Sequence, residues 1–131
     1  MIVLRGSDML VLRRRDPPKR GYLDTPGGFI EANESIEAAA RRELREETGL
    51  RVGAARWLGL YWDRYYLGGF GYFPTMNFYF VVRWRSGTPR AGDDAASVEW
   101  IPIDQVCRRG SRFAWKHMAR VVRDVWRSLR R

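Results

Sequence analysis

The sequence predicts one α/β domain in which helices cover a sheet, and three stretches predict it. Ile36 to Thr48 has helical periodicity with a cap at each end. From Arg51 to Arg85 the pattern turns to β, with aromatic and β-branched residues crowded into two long runs. From Arg112 to about Leu129 an amphipathic pattern returns. A chain of 131 residues suits one core and one domain spanning 1–131.

The first elements are short. Ile2-Val-Leu4 and Leu10-Val-Leu12 are two apolar runs, and Gly6-Ser-Asp8 between them reads as a hairpin turn. Arg13 to Gly21 is an exposed loop containing Arg13-Arg-Arg15 and Pro17-Pro18. Its arginines are a solvated cluster, or one of them reaches a substrate phosphate. Tyr22 to Thr25 is a short strand that feeds Pro26-Gly-Gly28. Pro26 fixes one backbone angle, and the two glycines are free to take positive φ. Without side chains there, a backbone carbonyl can approach a metal or a phosphate closely.

The helix after this loop has Ser35 to cap its start and Gly49 to end it. At roughly 100° per residue, Ile36, Ala39 and Ala40 share the face that a surface helix buries. The same stripe continues into Glu43, Glu46 and Glu47, whose carboxylates are i, i+3 and i+4 neighbours. Like charges at that spacing repel, and an inward carboxylate costs several kcal/mol unless it is compensated. A hard divalent cation such as Mg²⁺ compensates it, because it takes oxygen ligands and keeps some of its water. The competing reading is a solvated acidic face with Arg41, Arg42 and Arg45 beside it.

Gly28, Glu34, Arg42, Glu43, Leu44, Glu46, Glu47, Gly49 and Leu50 occupy fixed positions within 23 residues. In that spacing the segment resembles the signature of the Nudix hydrolases. The resemblance implies an α/β/α sandwich (α+β), with a mixed β-sheet between helices. It implies Mg²⁺- or Mn²⁺-dependent cleavage of the diphosphate bond in a nucleoside diphosphate linked to another group. It makes Glu43, Glu46 and Glu47 metal ligands, direct or through water, with the Gly27 carbonyl as a further ligand. Arg42 and Glu34 then orient the carboxylates. The base that activates water stays open among Glu46, Glu43 and a loop acid. Family members often carry Trp-x-Leu before Pro-Gly-Gly, where this chain has Leu23-Asp24-Thr25.

The two β runs, Val52 to about Asp63 and about Gly71 to Arg85, flank a loop rich in rings: Tyr65, Tyr66, Phe70, Tyr72 and Phe73. These rings cover a sheet face, or form a stacking wall for a nucleobase, or make the contact of a homodimer. Gly27, Gly28, Tyr61 and Arg64 are the candidate substrate contacts. Ser97 to Pro102 is the last strand, and Ile103 to Val106 a short helical turn. Just before that strand, Asp94 or its neighbour Asp93 stands where the family often places another metal-binding or basic carboxylate. Ser111 caps the closing helix.

Composition narrows the chemistry. Cys107 is the only cysteine and His117 the only histidine. That excludes an intrachain disulfide and a cysteine zinc site and speaks against a Cys–His catalytic pair, and both residues read as packing or surface groups. No apolar run nears the roughly 18 residues of a membrane span, so the expected setting is cytoplasmic. The net charge of +9 comes almost wholly from arginine, since Lys19 and Lys116 are the only lysines. A basic surface steers phosphates, which suits a small nucleotide substrate, with nucleic acid as the weaker alternative. An inactive nucleotide- or RNA-binding module of the same fold is the rival to an enzyme. An isoprenoid diphosphate isomerase of the same fold would need other acids and a placed cysteine.

Overall fold

The computed structural model describes residues 1–92, 94–109 and 112–131. Its strands are β1 Ile2–Arg5, β2 Asp8–Arg14, β3 Leu23–Asp24, β4 Arg51–Val52, β5 Arg56–Tyr66, β6 Tyr72–Ser86 and β7 Ala95–Pro102. Its helices are α1 Ile36–Thr48, α2 Ile103–Cys107 and α3 Met118–Leu129. The sheet is mixed and runs β3-β2-β1-β6-β4, with β5 on β6 and β7 on β2. β1 lies parallel to β6, whereas its pairing with β2 is antiparallel.

The central strands are apolar on both faces because both faces are covered. Ile2 and Leu4 of β1 pack with Val81, Tyr79 and the α3 residues Val121, Val122 and Val125. Val3 points the other way and packs with Leu44 of α1, Leu50 and Val82. Each fully buried side chain of this kind contributes on the order of 1.5–3 kcal/mol. The period-2 alternation of β1 and β6 therefore makes two cores, one under α3 and one under α1.

α1 begins and ends where its sequence places it. Ser35 Oγ accepts from the Ala38 N–H at 3.1 Å, and Gly49, at φ 73°, closes the last turn. The aromatic loop is shorter than the sequence suggests, because β5 and β6 pair out to Tyr66 and Tyr72. Those two rings pack 5.1 Å apart, and a single 3-10 turn at Gly68–Phe70 joins the strands.

The closing helix differs from expectation. It starts at Met118, with His117 in the cap position, and not at Arg112. Ser111, the expected cap, lies outside the described residues. The segment before Met118 is held by other partners. Phe113 forms a bridge with Leu23, the Ala114 N–H donates to the Leu23 carbonyl at 2.9 Å, and the His117 N–H donates to Asp63 at 3.1 Å. A helix through these positions would have to give up those tertiary bonds.

Candidate active site

α1 projects its acids toward the Pro26-Gly-Gly28 turn, and two of them reach it. Glu47 Oε2 accepts the Gly27 N–H at 3.3 Å. Glu43 fills the space above Gly28, where a Cβ would lie 2.5 Å from its Oε1. Neither Gly27 nor Gly28 has positive φ, in contrast to the freedom anticipated for them. The use of Gly28 is space for the Glu43 carboxylate and not an unusual backbone angle. The amino group of Met1 donates to the Pro26 carbonyl at 2.9 Å and holds the turn from behind.

Glu46 departs from the expected convergence. Its side chain is 59% exposed, and its partner is Arg42 at 3.3 Å. Among the described residues, no three His, Cys, Asp or Glu side chains stand together as a metal-holding group. The stripe on α1 thus divides: Glu43 and Glu47 turn toward the glycines, while Glu46 is drawn outward along the helix surface.

Arg42 organises this end of the helix. Its guanidinium bonds both oxygens of Glu34, at 2.8 and 3.0 Å. It also reaches Glu43 Oε1 at 2.9 Å and the Phe29 carbonyl at 3.2 Å. Glu34 accepts the Glu31 N–H as well, at 2.7 Å. The bonds from Arg42 and then from Glu31 hold its pKa down to about 2. Glu47 shifts the opposite way. Burial pushes it up to about 8, the Gly27 N–H opposes that, and the neighbouring charge of Glu43 adds to it.

The β6–β7 loop forms the far side. Gly92 lies against the backbone of Glu47, where a Cβ would stand 3.0 Å from its carbonyl oxygen. This brings Asp94 to a cavity of about 320 Å³ that is also lined by Gly27, Glu47, Arg13, Arg14 and Asp16. Asp93 lies outside the described residues. A second cleft, of about 420 Å³, opens on the other side of the turn, between Pro26–Ile30 and the β5–β6 hairpin. Asp24, Thr25, Gly27 and Arg14 line both.

Arg64 lines the larger cleft, with its guanidinium 5.3 Å from the Tyr72 ring centroid. Tyr61 does not line it. Its hydroxyl donates to Asp124 of α3 at 2.7 Å and its ring is buried against Tyr79. The substrate contact expected of Tyr61 is therefore corrected to a core contact. The alternation of β5 turns Tyr61, Asp63 and Tyr65 toward α3 and the segment before it.

Sequence reasoning missed Asp24, Asp63, Asn77, Trp115, His117 and Phe29, all of which line the larger cleft. One signal existed: an aspartate alternating with two tyrosines, Tyr61-x-Asp63-x-Tyr65, is a charge on an otherwise inward face.

A mixed sheet between helices, with a helix opening just after a glycine turn, is the architecture of the Nudix hydrolases. The chain belongs to the NUDIX family: the NUDIX domain model matches residues 1–125. It is 30% identical over 128 residues to an ADP-ribose pyrophosphatase of Methanocaldococcus jannaschii, covering 96% of this chain and 70% of that one. It is 34% identical over 114 residues to a putative 8-oxo-dGTP diphosphatase 2 of Mycobacterium tuberculosis, covering 79% and 78%. A bifunctional NMN adenylyltransferase/ADP ribose pyrophosphatase of Francisella tularensis, solved with AMP and a Mn ion, superposes with a TM-score of 0.64. That match has 28% identity and covers 92% of this chain and 38% of the other. The protein is a pyrophosphohydrolase of this family. No helix among the described residues is long and apolar enough to cross a membrane.

Proposed function

We propose that the protein uses Mg²⁺ or Mn²⁺ to hydrolyse the diphosphate bond of a nucleoside diphosphate linked to a second group. ADP-ribose is the first substrate to try, because a relative matched over nearly the whole chain is an ADP-ribose pyrophosphatase. The observation that carries the reading is the Glu43–Glu47 pair at the glycine turn. Two carboxylates share that place, and the pKa of Glu47 is raised far enough to keep its proton near neutral pH. A divalent cation suits such a pair better than a proton does, since it satisfies both acids and takes a backbone carbonyl and waters as further ligands.

In this reading Glu43, Glu47 and the Gly27 carbonyl hold the ion. Asp94 approaches from the β6–β7 loop, and Glu46 joins by turning inward from Arg42. A bound ion neutralises diphosphate oxygens and lowers the pKa of coordinated water. Arg42 and Glu34 keep Glu43 in place, and Arg14, shared by both cavities, offers a positive charge to phosphate. Residues 1–131 act as one domain on a small nucleotide in the cytoplasm.

The test is product release from ADP-ribose, nucleoside triphosphates including 8-oxo-dGTP, dinucleotides, nucleotide sugars and capped RNA, with Mg²⁺, Mn²⁺ or chelator. Metal-dependent turnover of a disubstituted diphosphate, lost by orders of magnitude in Glu47→Gln and Glu46→Gln, is the expected result. Wild-type rates in both variants would sink the metal-site assignment.

A further inference from the structure

The segment Phe113 to His117 touches both walls of the larger cleft. At one end Phe113 bridges Leu23, and the Ala114 N–H bonds the Leu23 carbonyl at 2.9 Å. Trp115 Nε1 then donates to Asp24 Oδ2 at 3.4 Å. These contacts fix the strand that leads into the glycine turn. At the other end Trp115 packs on Tyr65 of β5, with 5.3 Å between ring centroids. His117 bonds Asp63 of β5 through Nδ1 at 2.7 Å and Tyr79 of β6 through Nε2 at 2.9 Å.

The chemistry of His117 is set by these partners. Asp63 is a carboxylate: the bonds from His117 and from the Arg64 N–H outweigh the burial that would raise its pKa. A carboxylate only accepts, so Nδ1 carries the proton that lies between them. Burial lowers the pKa of His117 against the pull of Asp63, which keeps the ring neutral and leaves Nε2 to accept from the Tyr79 hydroxyl. Both ring nitrogens are thus occupied, each by a different strand of the hairpin. His117 is 4% exposed and Tyr79 7%.

We propose that residues 113–117 are a strap that sets the width of this cleft, and that His117 is its central positioning residue for the substrate group lying beyond the diphosphate. The inference rests on the reading of function given above. Asp24, Asp63, Tyr65, Tyr79, Trp115 and His117 all line the cleft. The strap therefore does more than fasten α3: it holds the hairpin wall and the turn wall at one separation. The side-chain bonds of His117 go to the hairpin strands and not to the glycine turn or the acids of α1, so their loss should leave the diphosphate end intact.

The experiment separates the two ends of the substrate. The KM for ADP-ribose, or for whichever disubstituted diphosphate the wild type turns over fastest, is measured beside the inhibition constant of inorganic diphosphate. Inorganic diphosphate has nothing to place in the cleft. For His117→Ala the expected result is a KM raised about tenfold or more, an inhibition constant within twofold of wild type, and partial recovery of KM with added imidazole. Tyr79→Phe keeps the ring, removes only the hydroxyl, and should raise KM by about threefold in a folded protein. An unchanged KM in both variants overturns the inference. So does a parallel rise of KM and inhibition constant, which marks general loss of structure. A wild type that cleaves no diphosphate defeats the functional reading itself, a result seen before any variant is made.

Discussion

The carboxylate of Glu43 occupies the space that a side chain on residue 28 would need. A Cβ on Gly28 would meet Oε1, Cδ and Oε2 of Glu43 at 2.5, 2.6 and 2.9 Å, whereas a Cβ on Gly27 meets nothing within 4 Å. Adjacent glycines therefore give opposite predictions. Gly28→Ala should displace Glu43 and cut kcat by about 100-fold, since an error near 1 Å in a catalytic group costs about that much. Gly28 is exposed and its backbone lies outside the positive-φ region, so the fold should survive. Gly27→Ala should bind Mn²⁺ within a few-fold of wild type. Metal titration and single-substrate kinetics on both variants check the contrast, and equal damage from both would refute it.

The Arg42–Glu34 pair should set the acid limit of stability. The folded pKa of Glu34, about 2, lies below its ordinary value of 4.5. A depressed carboxylate contributes stability above pH 4.5 and loses it as pH falls toward 2. Arg42→Met should remove the larger part of that contribution, leaving the Glu31 N–H bond, and flatten the acid limb of a melting-temperature profile between those values. Glu34→Gln should flatten it as well. The double variant should be no worse than Arg42→Met alone, because that change already removes the Glu34 bonds together with those to Glu43, Glu46 and the Phe29 carbonyl.

Glu47 should give a slope of the opposite sign when metal is absent. Its folded pKa is raised from 4.5 to about 8, so the folded protein holds a proton that the unfolded chain has released. Stability in chelator should fall as pH rises from about 4.5 through 8, by at most about 1.4 kcal/mol per unit. Mg²⁺ should oppose the fall, most strongly at the alkaline end where no proton competes for the site. Glu47→Gln should abolish both the slope and the Mg²⁺ response. Melting temperatures from pH 5 to 9, with and without Mg²⁺, decide this.

The parts of the fold that were legible in the sequence are those whose causes are local. Ser35 and Gly49 bound α1 because a cap needs only its own turn. The start of α3 is not legible, because Leu23 and Asp63 claim the N–H groups of Ala114 and His117, and nothing near residue 112 announces that. The place of Tyr61 is not legible either, because an aromatic on a strand looks alike on either face, and Asp124, 63 residues away, fixes which. The sequence shows His117 only as a packing or surface group, because its partner Asp63 stands 54 residues away. Within the site, the spacing on α1 located Glu43 and Glu47 beside the turn. The outward course of Glu46 follows from Arg42, which lies one turn back and bonds both sides of the stripe. A helical wheel counts acids by angle and cannot weigh an arginine that competes for one of them.

Phe29 offers a last test, because nothing in folding explains it. The ring follows Gly28 directly, lines the larger cleft, and is 80% exposed. An exposed aromatic gains little from the folded state and costs nothing to remove from it. At the mouth of a cleft it gives a base a face to stack on, a contact that contributes roughly 1–3 kcal/mol in nucleic-acid sites. Phe29→Ala should leave the melting temperature within a degree or two of wild type and raise KM by about five- to a hundredfold. Phe29→Trp should keep KM near wild type, since stacking needs a π-face and not a particular ring. Its carbonyl, which accepts from Arg42, belongs to the backbone and survives both changes. A drop in kcat with KM unchanged would place the ring's influence on the acid cluster and not on the substrate.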